Sequence, residues 1–338
     1  MRLAVMGLKG HHKNVLSGLP QSPDVELVAV SEDDAKNVEK LKREVPAAKG
    51  VNFYSDWKQL LEHADFDLCC LGDENGVREE QLLALAARNI HVIAEKPLTT
   101  TLAGLEKVRE AFAKSKARLT MLLTMRHDPI YATFHDQIRK GAIGTPAQAS
   151  SQKSYQIHVR PEWFKSRARL GGIIPYIGVH AVDLVRWTTG LEVLSVSAMH
   201  GRAGMPEIGD AENHASMLLA LDHGASATVR LDYLRPMGAG SHGDDRLRVA
   251  GDKGVLESGL KDRQLLLLRG TEKPQWIATA PAGNFLVSFA AAIKEKTPAR
   301  IPAQDAFRIT EIVLHARDAA DGGKLVALPP FRPFAGGL

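Results

Sequence analysis

The sequence predicts an α/β protein: an N-terminal doubly wound parallel sheet over residues 1–122, then a C-terminal α/β domain over 123–338 with a large, mostly antiparallel open sheet. Three observations carry this. Residues 2–122 alternate short apolar, β-branched runs with helical stretches, which requires parallel strands joined by right-handed crossovers. One of those runs, 90–94, ends in Glu95-Lys96-Pro97, a charge pair and a proline at the strand end where open α/β sheets bind ligands. After Leu123 the pattern changes to longer alternating strands, for instance 215–221 and 225–234 around a His223-Gly224 turn.

In chain order, residues 3–6 form the first strand, Gly7-Leu-Lys9-Gly10-His11-His12 the first turn, and 13–19 a helix. A strand over 25–30 ends in Ser31-Glu32-Asp33-Asp34 and leads to a charged amphipathic helix, 35–44. Strands at 51–53, 67–71, 91–94 and 119–123 then alternate with helices at 57–63, 77–88 and 102–114. Thr124-Met-Arg126-His-Asp128-Pro129 opens a helix to about residue 141, and a polar strand, 147–155, follows. A basic, aromatic loop carries His158, Arg160, Trp163, Lys165, Arg167 and Arg169; Gly171-Gly172 precedes a helix over 173–188. Strands fill 193–268, helices 284–297 and 303–320, and the tail is rich in proline.

With 338 residues the chain has room for two cores of ordinary size. Its 43 Lys and Arg are spread among 39 acids, so no nucleic-acid tract stands out, while the net charge of +4 favours an anionic cofactor or metabolite. Cys69 and Cys70 are adjacent in a strand and point to opposite faces, so neither a disulfide nor a metal site is expected. His11 and His12 are likewise neighbours rather than ligands on one face, and no metal is expected. Met1 leads straight into the first strand, leaving no room for a signal peptide, and no apolar run reads as membrane-spanning; a cytoplasmic location is expected.

The first turn is an irregular dinucleotide turn. The usual pattern is G-x-G-x-x-G, with glycines for the tight turn, for the pyrophosphate and for helix packing. Gly7 fits the first place, but Lys9 and His12 hold the second and third, with Gly10 between. The turn nevertheless follows the first strand and opens a helix, where unpaired N–H groups attract phosphate. Glu32 stands at the end of the second strand, where a carboxylate binds the adenosine ribose; this favours NAD, with NADP open because Lys9 offsets the charge. The competing reading is an ordinary βα turn beside a capping acid cluster.

Taken together these residues resemble the glucose-fructose oxidoreductase / inositol dehydrogenase (Gfo/Idh/MocA) family. The features are Glu95-Lys96-Pro97, Arg126-x-Asp128-Pro129, Gly171-Gly172 before Gly178-Val-His180-Ala-Val-Asp183, and Val249-Ala-Gly251-Asp-Lys-Gly254-Val-Leu256. Their order and spacing hold over residues 1–328. The resemblance implies a Rossmann domain, a second domain whose open sheet makes a homodimer or homotetramer, and NAD(P)-dependent oxidation or reduction of a sugar, cyclitol or related polyol. It also implies that Lys96 and His180 are active-site residues. The family commonly has an aspartate four residues before that histidine; here the position is Tyr176.

Oxidising a secondary alcohol needs a base for the hydroxyl proton and an acceptor for the hydride. His180 is read as the base and Lys96 as the donor that stabilises the developing alkoxide. Tyr176, four residues before His180, is a third catalytic candidate, through a hydrogen bond to the imidazole or to substrate. Glu95 orients Lys96 or contacts the cofactor amide, so the cofactor set is Gly7, Lys9, Gly10, His11, Glu32, Glu95 and Lys96. Asp183 either orients His180 or bonds the helix backbone, and the second reading is preferred. Arg126, Arg160, Arg167 and Trp163 are candidates for a hydroxyl-rich or acidic ligand, or for a solvated or oligomer-contact loop. Two rival functions remain at this point: elimination or glycosidic cleavage through transient oxidation on a tightly held NAD, and a non-catalytic metabolite sensor.

Overall fold

The computed structural model describes residues 1–281, 283–334 and 336. The chain separates into two compact units: residues 1–122 with 283–307 and the tail from 333, and residues 123–281 with 308–332.

The first unit is built on six parallel strands: β1 (Arg2–Met6), β2 (Glu26–Ser31), β3 (Asn52–Tyr54), β4 (Leu68–Leu71), β5 (His91–Ala94) and β6 (Leu119–Met121). Their order, β3-β2-β1-β4-β5-β6, reverses direction between β1 and β4, the position where such sheets bind dinucleotides. Ala4, Val5, Cys69 and Cys70 are fully buried, as central strands covered on both faces require. Both cysteines are free, and burial pushes their thiols up. Between the strands run α1 (His12–Leu16), α2 (Ala35–Glu44), α3 (Trp57–His63), α4 (Arg78–Ala87) and α5 (Leu102–Lys114). Asp34, Asp56 and Thr101 cap α2, α3 and α5 by accepting from first-turn N–H groups, which is why those helices begin where they do. The first helix is shorter than the sequence suggests. It ends at Leu16, and Pro20 starts a separate 3-10 turn, Leu19–Gln21.

A single cut at residue 122 does not describe this unit, because the chain returns to it. Asn284 caps the helix Phe285–Glu295 and donates to Asn14 O at 3.3 Å and Ser17 Oγ at 3.0 Å. Arg118 donates to the carbonyls of Ala292 and Thr297, and Thr120 Oγ1 donates to Ile301 O at 2.8 Å. Local sequence pattern gives a helix at this place but not the core it joins.

The second unit holds nine strands: β7 (Pro146–Tyr155), β8 (Val193–Gly201), β9 (His214–Leu221), β10 (Ser226–Asp232), β11 (Gly243–Gly251), β12 (Gly254–Lys261), β13 (Gln264–Arg269), β14 (Gln275–Ala278) and β15 (Val326–Ala327). They run in the order β14-β13-β12-β11-β7-β10-β9-β8-β15, and of the adjacent pairs only β7 with β10 is parallel. One face packs on α6 (Pro129–Arg139) and on the later helix Val179–Thr189. The other exposes Met199 and Leu218. The stretch Arg167–Thr189 is long and apolar enough to cross a membrane, contrary to the sequence reading. Its most apolar 18-residue window is 83% buried in the protein, as in a core helix.

Candidate functional site

In the first unit the dinucleotide turn is shaped by what surrounds it. Gly7 has φ +76°, and a Cβ there would lie 2.6 Å from Asp73 Cα, so glycine alone fits. A Cβ on Gly10 would meet the Glu95 side chain at 2.5 Å. These two cradles fit a nucleotide turn. Glu32 is buried at the rim of β2 and fixed by three donors: Leu8 N at 2.7 Å, Asp34 N at 3.1 Å and Asn37 Nδ2 at 3.1 Å. Burial raises its pKa, against the opposing pull of those hydrogen bonds. The carboxylate is thereby held in one place beyond the end of β2, where the sequence reading expects an acceptor for ribose hydroxyls.

Glu95, at the end of β5, is 3% exposed. One oxygen accepts from the His11 backbone N–H and lies 2.6 Å from the His11 ring Nδ1; the other accepts from Lys96 N at 3.1 Å. Burial alone would raise its pKa, but the His11 ring, Lys96 and Arg78 outweigh it and hold the carboxyl well below the usual range. Its observed role is thus to tie the first turn to the Lys96 segment. Lys96 is also 3% exposed, and the peptide to Pro97 is cis. Arg78 was not singled out from the sequence. Its buried guanidinium donates to Pro97 O at 2.6 Å and Asp73 O at 2.8 Å, joining two loops at the sheet's carboxyl rim. Only the contact order of the folded chain reveals it.

His12, which takes the third glycine's place, is 8% exposed. Burial, then Lys13, lowers its ring pKa to about 4. The unfolded chain therefore binds a proton that the folded chain refuses. The associated stability is present above the unfolded value of about 6.5 and is lost as pH falls from there toward about 4, by up to ~3 kcal/mol. His12→Asn should flatten the fall in denaturation midpoint between neutrality and pH ~4.5. An unchanged slope would remove His12 from this role.

In the second unit the basic candidates separate. Arg126 is buried and forms a bidentate pair with Asp183, with Nη2 to Oδ1 at 2.6 Å and Nε to Oδ2 at 3.0 Å. The structure thus gives Arg126 an internal partner, a pairing the sequence reading did not include. Asp183 is likewise the partner of this arginine, a role that neither sequence reading foresaw. Arg167 is committed to Glu212 and to Asp321 at 2.7 Å.

Arg160 behaves differently: its guanidinium lies 4.7 Å from the Phe164 ring centre and 5.2 Å from that of Tyr233. Phe164 meets Tyr176 edge-on at 5.3 Å and Tyr233 at 5.5 Å, while Trp163 meets Tyr176 at 6.3 Å. Trp163 Nε1 is buried with no hydrogen-bond partner among the described residues. The structure therefore gathers Arg160, Trp163 and Tyr176, and adds Phe164 and Tyr233. Tyr233 follows an ordinary alternating strand and gave no sequence signal. Tyr176 lies in a π-helical turn, Ile174–Gly178, and His180, 5% exposed, in the α-helix that continues from it. The wider turn means four residues no longer equal one helical repeat, so the straight-helix alignment of Tyr176 with His180 does not apply. Among the described residues, no group of three or more His, Cys, Asp or Glu is placed to hold a metal ion.

A doubly wound sheet with a glycine-shaped turn at its switch point is the architecture of a nucleotide-binding domain. Residues 1–123 match the family model "Oxidoreductase family, NAD-binding Rossmann fold", and residues 131–257 match "GFO/IDH/MocA C-terminal domain". The chain belongs to the Gfo/Idh/MocA family and is an NAD-binding oxidoreductase. Inositol 2-dehydrogenase 4 of Saccharopolyspora erythraea is 30% identical over 178 residues, 52% of this chain and 50% of that protein, so the match spans half that relative's length. The scyllo-inositol 2-dehydrogenase (NAD(+)) of Bacillus subtilis is 27% identical over 77% of this chain and 74% of its own. A solved oxidoreductase-fold structure from Thermotoga maritima superposes with a TM-score of 0.91 at 29% identity, covering 97% of this chain and all of that one.

Proposed function

We propose that the protein is an NAD-dependent dehydrogenase that oxidises a secondary alcohol of a cyclitol, sugar or related polyol, or reduces the corresponding ketone. The observation that carries this is Lys96, a buried ammonium at the carboxyl rim of a sheet in an NAD-binding domain. The inositol dehydrogenases among its relatives support the substrate class. NAD, when bound, accepts the hydride. His180 takes the hydroxyl proton, and the Lys96 ammonium stabilises the alkoxide that develops, an effect worth about two orders of magnitude in rate. Arg160 and the aromatic group Trp163, Phe164, Tyr176 and Tyr233 support recognition of a hydroxyl-rich ring, whose C–H faces pack on aromatic surfaces while its hydroxyls need donors such as the unpartnered Trp163 N–H. Assembly belongs to the same proposal. Met199 and Leu218, exposed on the open sheet face beside Arg230 and Arg248, support pairing with a second copy.

The test is deuterium transfer to the nicotinamide from a panel of carbon-deuterated cyclitols and sugars. Label from at least one of them is the expected result. A protein that binds NAD and takes label from none of the panel would overturn the proposal.

A further inference from the structure

Lys9 stands where a dinucleotide turn ordinarily has its second glycine, the position kept bare so that the pyrophosphate can approach. Its side chain is 24% exposed and does not simply point into solvent. Nζ lies 3.1 Å from Asp73 Oδ1 and 3.5 Å from Asp33. Asp33 follows β2 and Asp73 follows β4, and those two strands flank β1, so the ammonium bridges both shoulders of the turn. Burial opposes the charge on Lys9, but Asp73, Asp33 and Glu32 outweigh it and raise its pKa.

The two arms of this clasp differ. Asp73 is fixed: Oδ1 accepts from Glu74 N at 2.8 Å, Oδ2 accepts from Gln81 Nε2 at 3.0 Å, and its backbone abuts Gly7. Asp33 is exposed, with a 67% accessible side chain, and its contact to Lys9 is the longer one. One ammonium is therefore shared by a rigid and a loose carboxylate, with Glu32 adjacent to the loose one.

We propose that Lys9 is a specificity-determining residue for the cofactor: anchored on Asp73 and restrained by Asp33, its ammonium gives its third donor to the pyrophosphate, while the Asp33 contact keeps it from turning to a ribose 2′-phosphate. The inference rests on the NAD assignment and not on the polyol substrate, because every readout below is equilibrium binding. Calorimetric titration of NAD+, NADP+ and ADP-ribose would be run on the full-length wild type, Lys9→Met, Asp33→Asn and the double variant, each checked for native circular dichroism. Lys9→Met should weaken NAD+ and ADP-ribose about 10-fold and make their binding less salt-dependent. Asp33→Asn should improve NADP+ relative to NAD+ by about 10-fold, and that gain should vanish in the double variant. Lys9→Gly, which restores the usual turn residue, replaces Lys9→Met should the latter not fold, with the same loss of salt dependence expected. An equal gain from Asp33→Asn with and without the lysine would overturn the proposal, since the aspartate would then act by its own repulsion. Unchanged NAD+ binding on removing the Lys9 ammonium would overturn it as well.

Discussion

Lys96→Ala should turn over at least ~100-fold more slowly than the wild type while binding NAD with nearly unchanged affinity. The reason is the division of labour around the side chain. The Lys96 segment is held by groups other than its own ammonium: Glu95 accepts from the Lys96 backbone N–H, and Arg78 donates to Pro97 O. Truncation therefore removes a charge from the end of β5 and leaves the backbone anchored. In the proposed mechanism the charge acts mainly on the developing alkoxide, so kcat should fall while the NAD dissociation constant changes little. His180→Ala, in the second unit, should lose turnover by a similar factor of ~100 if it is the base proposed above, since that role lies in the proton transfer. Stopped-flow turnover beside a binding titration checks both. Wild-type turnover in either variant would remove that residue from the mechanism.

The second large effect is on stability. Asp183→Ala should cost about 3–5 kcal/mol, because it leaves the Arg126 guanidinium buried with its bidentate acceptor gone. The side chains are 2% and 1% exposed, so water cannot take the carboxylate's place. The arginine also sits 5.4 Å from the Trp187 ring centre, which favours its charged form but cannot replace an ion pair. Replacing both partners, as Arg126→Met with Asp183→Leu, should cost much less than the single change, since no charge is then stranded. Urea denaturation followed by tryptophan fluorescence reads both variants. A double variant as unstable as Asp183→Ala would show that the site needs the pair for more than mutual compensation.

Much of this architecture is visible in the chain because it is locally encoded. The bounds of α2, α3 and α5 follow from an Asp or Thr cap at each start, and β5 from its apolar run. Glu32 is legible for the same reason, as a carboxylate at a strand end. The pairing of Arg126 was not legible because its partner lies 57 residues away, and a basic side chain in sequence does not show which acid it meets. The π turn at Ile174–Gly178 is hidden too: the apolar pattern 173–188 suits a straight helix equally well. The aromatic group around Tyr176 draws on a loop, a helix and the end of a strand, which only the folded second unit brings together.

The return of residues 283–307 to the first unit has a bearing on how the protein is made. Asn284 sits against the end of α1, and Arg118 and Thr120 find their carbonyl acceptors only beyond residue 290. A nascent chain emerging from the ribosome therefore cannot finish its nucleotide-binding half when residue 122 appears. It must wait until the whole nine-stranded sheet except its last short strand has been synthesised, and a fragment cut at 122 would leave the flank of α1 bare.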